Sequence, residues 1–403
     1  MRPKVFAVVG RGYGDEGKGL ATDRLASLFE GKTCVVRHNG GAQSGHTVEK
    51  RSGERFVFHE LSSGSLAGAD TLWVKTFFPD MYKLREEAED FKNAFGFVPD
   101  IYAESDTPIT IIYDVLLNMA QEEKRGDERH GSCGMGINEA DLRSKAGFDV
   151  TLNDLFTMSF EELKDKLLHI RENYVREREI ALKISSVTQY IELLYSDDVL
   201  DNYCKEIKEN TAFVTLISDL EKFLSGYDTV IFETGQGLLL DADNEENAPH
   251  VTASKTGLTN VVSAVSRANL KLDTVFYVSR SYLTRHGAGP LPCECDTSFL
   301  NAYEKDETNV SNEWQGALRY ARFLSFDDFF APITADLKLA RGAKAALLLT
   351  HLNETGGCIK LAGSDVLPKQ LAEEALKSGI SKVYTSSSRF SDECVLCYDD
   401  INR

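Results

Sequence analysis

Short apolar runs recur along the chain, and most of them end in glycine or a polar cluster. Residues 4–9 (KVFAVV), 33–36 (TCVV), 70–75 (DTLWVK), 99–103 (PDIYA), 229–232 (TVIF), 274–278 (TVFYV) and 345–349 (AALLL) are such runs. Most are continuous rather than alternating, as expected of strands covered on both faces in a parallel sheet. Residues 20–29 and 81–95 instead carry apolar side chains at helical spacing. Residues 152–227 differ again. Glu, Lys and Leu are abundant there, with apolar positions three and four apart, such as Leu163, Leu167 and Ile170, or Ile191, Leu194 and Tyr195. That stretch predicts a set of helices with no evident chemistry. The pattern predicts an α/β chain with a mainly parallel central sheet. It reads as one domain over residues 1–403, with a helical insertion or subdomain at about 152–227.

The loops after the apolar runs carry the candidate chemistry. Five glycines fall within residues 10–19, between the first predicted strand and the first predicted helix. A strand, a glycine loop and a helix N-terminus together point backbone N–H groups at a phosphate. From Gly12 to Gly17-Lys18 the spacing matches the first seven positions of G-x-x-x-x-G-K-[ST]. The eighth position carries Gly19, where a hydroxyl would bind magnesium, and a carboxylate, Asp15, lies inside the loop. This is a P-loop-like phosphate loop with chemistry of its own. A tight turn with glycines for steric reasons is the plainer alternative. Polar or glycine loops also follow the other runs, at 37–47, 233–241 and 280–290, and His351-Leu352-Asn353 follows the last. Strand ends are where open α/β sheets bind ligands.

Composition narrows the field. The chain has 403 residues and a formal charge of −18, which repels polyanions and argues against nucleic-acid or membrane-surface partners. No stretch approaches the roughly 20 apolar residues needed to cross a bilayer, and the opening residues do not read as a signal peptide. A cytoplasmic protein with reduced thiols is expected. Cys293 with Cys295, and Cys394 with Cys397, are the close cysteine pairs. A four-cysteine zinc site would need the two pairs to meet; ordinary thiols are the simpler reading.

Four of these loops, in this order, resemble the adenylosuccinate synthetase family, ligases that join aspartate to a 6-oxopurine nucleotide. The matching stretches are Gly14-Asp15-Glu16-Gly17-Lys18-Gly19, Gly40-Gly41-Ala42-Gln43-Ser44-Gly45-His46-Thr47, Phe232-Glu233-Thr234-Gly235-Gln236-Gly237 and Thr284-Arg285-His286-Gly287-Ala288-Gly289-Pro290. Residues 58–64 (FHELSSG) add a weaker match. The resemblance runs from the first strand to the last and is poor over 152–227. It implies a two-step reaction: the purine O6 attacks the γ-phosphate of a nucleoside triphosphate, and the amine of aspartate then displaces the 6-phosphoryl group. It implies Asp15, His46 and Gln236 as catalytic residues, with Asp15 as the base that takes the N1 proton and His46 as the stabiliser of the transferring phosphoryl group. Gly12, Gly14, Glu16, Gly17, Lys18, Gly19, Gly45, His46 and Thr47 are implied to hold the NTP phosphates. Asp15 and the carbonyl of Gly45 are implied ligands of Mg2+. Gln43, Ser132, Cys133, Arg143, Gln236 and Thr252 are implied to bind the purine nucleotide. The family also implies a homodimer, with an arginine, here Arg143, reaching the neighbouring subunit's nucleotide.

Departures from the family pattern fall at substrate positions. Gln43 stands where Asn is common, and Cys133 replaces a phosphate-binding Thr, with weaker donor capacity. The arginine-rich aspartate loop becomes Asn312-Glu313-Trp314-Gln315-Gly316-Ala317-Leu318-Arg319, which leaves Arg319, with Arg322 as the spare, to hold aspartate's carboxylate. The guanine-reading Thr-Lys-Leu-Asp becomes Thr350-His351-Leu352-Asn353. The Asn353 amide offers both donor and acceptor, which suits adenine, so His351 and Asn353 predict a weakened GTP preference, with ATP or GTP as the donor. These departures resemble the phage-type branch that makes 2-aminoadenylosuccinate from dGMP, aspartate and ATP, although Asp15 is retained. IMP is the default acceptor, with GMP or dGMP as the alternative. An inactive nucleotide-binding regulator is the alternative of another class; it would be favoured by loss of Asp15, His46 or Lys18, and all three are present.

Overall fold

The computed structural model describes residues 2–126, 134–186, 188–301, 316–394 and 396. Its centre is a nine-stranded sheet. In chain order the strands are β1 (Lys4–Gly10), β2 (Thr33–Arg37), β3 (Asp70–Trp73), β4 (Ile101–Glu104), β5 (Val214–Ile217), β6 (Thr229–Gly237), β7 (Thr274–Arg280), β8 (Lys344–Thr350) and β9 (Lys382–Thr385). Their order across the sheet is β9-β8-β7-β1-β6-β2-β3-β4-β5, and every pairing is parallel.

The continuous apolar runs are explained by what covers the sheet. On β1, Val5, Ala7 and Val9 point into one apolar cluster, while Phe6 and Val8 point into another on the opposite face. Helices Leu258–Arg267 and Phe326–Leu337 contribute to the first cluster, and helix Lys18–Leu28 to the second. Helix Met81–Phe95 keeps the bounds its pattern predicts. Asp80 caps its N-terminus by accepting from the N–H groups of Tyr82 and Lys83, and Gly96 ends it in the left-handed conformation.

Residues 152–227 do fold largely as helices, among them Leu152–Thr157, Phe160–Ile170 and Asp197–Glu209. They are not a body apart from the sheet. Their apolar faces share a cluster with Trp73, Phe77 and Leu84, and the stretch contains β5, which pairs with β4 at the sheet edge. The helical pattern hid β5 because the strand is four residues long.

β1 is an interior strand, fourth of the nine, and the chain leaves it in both directions, so the crevice outside its carboxyl end is a topological switch point. The loops after β1, β2, β6, β7 and β8 all open on that rim. A hairpin of His46–Glu49 and Arg55–Phe58 and a small sheet of Leu283–Arg285, Glu294–Cys295 and Arg319–Ala321 stand beside it.

Candidate active site

The loops from these five strands line one cavity of about 1070 Å³. The phosphate loop forms its floor. Glu16 folds back into that loop: its Oε1 accepts from the N–H groups of Gly12 (2.7 Å) and Gly14 (3.1 Å), and its Oε2 lies 3.1 Å from Lys18 Nζ. Glu16 is buried and shapes the loop from within. The missing hydroxyl at position 19 has a steric cause. A Cβ on Gly19 would lie 2.8 Å from the carbonyl oxygen of Thr47 and 3.2 Å from His46 Cβ. The loop after β2 closes over this position and leaves no room for Ser or Thr.

Three non-glycine residues on the cavity wall, Asp15, Gln236 and His351, have left-handed backbones with φ of 56–58°. That conformation costs roughly 1–2 kcal/mol for an L-residue, and such strain concentrates at functional sites. Asp15 is held by the loop after β7. Arg280 donates from Nε to the Asp15 carbonyl, and His286 Nε2 lies 3.1 Å from Asp15 Oδ2. Burial acts to raise the Asp15 carboxyl, but the hydrogen bond and charge of His286, then Arg280 and Lys18, outweigh it and hold it at about 2. Asp15 is therefore a carboxylate across the neutral range.

His46 is buried at the end of the second loop. Its Nδ1 lies 2.9 Å from Glu233 Oε1 and 3.2 Å from Arg37 Nη1, and its Nε2 meets no hydrogen-bond partner among the described residues. Burial lowers its pKa, against the pull of Glu233. A neutral ring accepting from Arg37 at Nδ1 carries its proton on Nε2. A protonated ring donates from Nδ1 to Glu233 and again carries one on Nε2. Both states leave an N–H at Nε2 on a residue that lines the cavity. Glu233 itself, buried but beside His46 and Arg37, is held below the usual carboxylate range.

Gln43 and Gln236 line the same cavity. Both polar side-chain atoms of Gln43 and the Oε1 of Gln236 are buried without a hydrogen-bond partner among the described residues. A buried polar group left open in this way is costly unless a ligand or water completes it. Gly14, Gly17, Lys18, Gly19, Gly45, Thr47, Thr252, His351 and Asn353 also lie on the cavity wall. His351 accepts from or donates to Thr350 Oγ1 at 2.8 Å, and burial lowers its pKa well below the ordinary value.

Three arginines expected at the site lie elsewhere. Arg143 is fully buried, not turned to a neighbouring subunit: it pairs with Asp114 at 2.9 Å and donates to the carbonyls of Phe148 and Ile109. Arg319 pairs with Glu294 and donates to the carbonyls of Gly287 (3.0 Å) and Gly289 (2.9 Å). Arg322 donates to Leu361 O and to Asp365. None of the three lines the cavity. Counting along a motif fixes the position of a Cα, whereas a long arginine side chain ends where the fold offers carboxylates and carbonyls. Ser132, Cys133, residues 312–315 and Cys397 lie outside the described residues.

The sequence reading passed over several wall residues, including His59, Asn118, Arg125, Arg280, Tyr282 and His286. His59 and His286 sit inside stretches already quoted for the family. A histidine in a glycine loop at a strand end was the available signal. The oxygen donors suit magnesium, which takes one or two carboxylates and completes its shell with water and phosphate oxygens. Among the described residues no group of three or more His, Cys, Asp or Glu side chains forms a protein-only metal cage. Nor is any helix there long and apolar enough to cross a membrane.

A parallel sheet whose glycine loop and four further strand-end loops enclose one polar cavity defines an α/β protein of the phosphate-loop type. The chain belongs to the adenylosuccinate synthetase family, whose pattern matches residues 7–315. It is 32% identical over 303 residues to the adenylosuccinate synthetase of Psychrobacter cryohalolentis, covering 72% of this chain and 65% of that protein. It is 29% identical over 297 residues to that of Limosilactobacillus reuteri, covering 71% and 64%. The chain thus matches a little under two thirds of these relatives' length. Among solved structures, fully ligated adenylosuccinate synthetase from Plasmodium falciparum superposes with a TM-score of 0.66 at 18% identity, over 97% of this chain and 99% of that one. Cyanophage S-2L succinoaminodeoxyadenylate synthetase, bound to dGMP and dATP as an energy donor, gives 0.62 at 13% identity, over 98% and 95%. At these identities both show a shared fold.

Proposed function

We propose that this protein is a ligase that joins L-aspartate to C6 of a purine nucleotide, IMP by default, through a 6-phosphoryl intermediate formed from a nucleoside triphosphate. The observation that carries the reading is the meeting in one cavity of a phosphate loop, the Asp15 carboxylate, and three side chains (Gln43, His46 and Gln236) with buried polar atoms that meet no hydrogen-bond partner among the described residues. Kinship with the family supports the same reaction.

In this reading Lys18 and the loop N–H groups hold the triphosphate. Asp15 takes the proton from purine N1, and the electron pair moves to O6, which bonds the γ-phosphorus as the bond to the departing diphosphate breaks. His46 directs its Nε2–H at the transferring phosphoryl oxygens. The amine of aspartate then bonds C6 and gives up a proton, and phosphate leaves with the electron pair of the C6–O bond. Gln43 and Gln236 orient the purine, and Thr252 its phosphate. Asp15 and the Gly45 carbonyl would hold Mg2+, which neutralises phosphate charge when bound. His351 and Asn353 face the triphosphate's base, and the amide of Asn353 favours ATP over GTP. We place the protein in the cytoplasm as a homodimer, by kinship; Arg143 is not the residue that crosses between subunits.

The test is phosphate release with aspartate, ATP or GTP, and IMP, GMP or dGMP in parallel. Release that requires all three substrates, with a product heavier by the aspartyl group, is expected, fastest with IMP and ATP. Release without aspartate would make the protein a kinase or phosphatase, and silence with every purine would make it a binding protein. A strong GTP preference would remove His351 and Asn353 from the base site.

A further inference from the structure

The loop after β7 grips Asp15 twice. Arg280 holds its carbonyl, and His286 brings Nε2 to 3.1 Å from Oδ2. Neither side chain is needed to fill the core: Asp15 and His286 keep 26% and 17% of their side-chain surface and both line the cavity. A carboxylate on a left-handed loop residue can rotate unless something fixes it. Here the imidazole lies against one oxygen of a carboxylate that lines the cavity. The arrangement is a base oriented by a second group, the logic by which acid–base pairs are made efficient.

We propose that His286 is the positioning residue for Asp15: it fixes the carboxylate in the orientation that receives the N1 proton, and it touches neither the triphosphate nor the phosphoryl group. This rests on the ligase reading above and adds a residue to it. The pairing comes from a loop at the far side of β1, so it also joins the loop after β7 to the phosphate loop in one unit.

The experiment compares His286→Ala and His286→Gln with the parent protein, because the glutamine amide can place an N–H near the position of Nε2. Three quantities are read: kcat for aspartate-dependent phosphate release, KM for each nucleotide, and exchange of the β–γ bridging oxygen of the triphosphate without aspartate, which reports only the O6 phosphorylation step. The alanine variant is expected to lose about 10- to 100-fold in kcat, the range seen when an orienting partner is removed. Oxygen exchange should slow in parallel, triphosphate KM should stay within about twofold, and the glutamine variant should recover most of the rate. An alanine variant as active as the parent, or faster, would overturn the proposal, the latter by making His286 a cap that purine must displace. Loss of triphosphate binding in both variants would also overturn it, since His286 would then be part of the phosphate site. If the parent itself releases no phosphate with any purine, the ligase reading fails first and this role falls with it.

Discussion

At the strand ends, Gln43, His46 and Gln236 hold buried nitrogen or oxygen atoms that meet no hydrogen-bond partner among the described residues. On the flanks, Arg143, Arg319 and Arg322 commit their guanidinium groups to carboxylates and carbonyls of the same chain. Residue type pointed to both sets, and the arginines were the more obvious ligands for anionic substrates. The difference teaches that a side chain's open hydrogen-bonding capacity marks a ligand site better than its charge does. A satisfied arginine cross-links the fold. An unsatisfied amide or imidazole, in a cavity next to a phosphate loop, is held for something that has yet to arrive.

The comparison breaks most sharply at Asp15, which belongs with the open set. Asp15→Asn is expected to lower kcat on the order of 10³-fold while triphosphate binding, measured by calorimetry, stays within about threefold. An equal loss of binding and turnover would move Asp15 among the structural residues.

Arg143 tests the other side. Arg143→Leu leaves the Asp114 carboxylate buried without its partner, and denaturant unfolding should register a loss of about 3–5 kcal/mol. Replacing Asp114 by Leu as well should recover much of it. A stable single variant with weakened purine binding would return Arg143 to the site.

Glu87 is a satisfied carboxylate, accepting from the backbone N–H groups of His59, Glu60 and Leu61. Burial raises it to about 7 despite those bonds. The folded chain therefore keeps a proton that the unfolded chain has already released, and the stability Glu87 contributes falls as pH rises from about 4.5 through 7. Buried His38 and His46 and half-buried His59 and His351, whose pKa values are lowered, act in the opposite sense, so the readout is a difference. The stability gap between the parent and Glu87→Gln should move against the parent, on the order of 1 kcal/mol, between pH 5 and 7.5. A gap that widens in the parent's favour would contradict it.

The smallest effect concerns Arg319. Its half-exposed pair with Glu294 is worth little on its own, and Arg319→Ala should leave KM for aspartate within about threefold. A rise of tenfold or more would make it a substrate residue after all.

Much of this was legible in the sequence. Seven of the nine sheet strands showed as apolar runs, because a strand buried on both faces needs only local hydrophobicity to be seen. The phosphate loop and the loops around His46, Gln236 and His351 were legible as glycine and polar clusters at strand ends. β5 and β9 were not. Each has four residues and sits at a sheet edge, where fewer apolar side chains are required. The arginines misled for a different reason. Their end points depend on Asp114, Glu294 and Asp365, which come near only in the folded chain. His286 was in view but unassigned, since nothing local says that its ring reaches Asp15.

The central place of β1 governs when the site can exist. Its two neighbours are β6 and β7, with Lys4 opposite Thr229 and Phe6 opposite Thr274. During synthesis at roughly 5–20 residues per second, β1 waits on the order of 15–50 s for residue 280 to be made. For most of that interval, until β6 is made, the apolar strand and its phosphate loop have no sheet to join, and long-range parallel pairing is intrinsically slow. Nascent chains truncated before β7 should therefore expose β1 to chaperones and be unable to bind nucleotide, so the cavity is among the last parts of the molecule to be born.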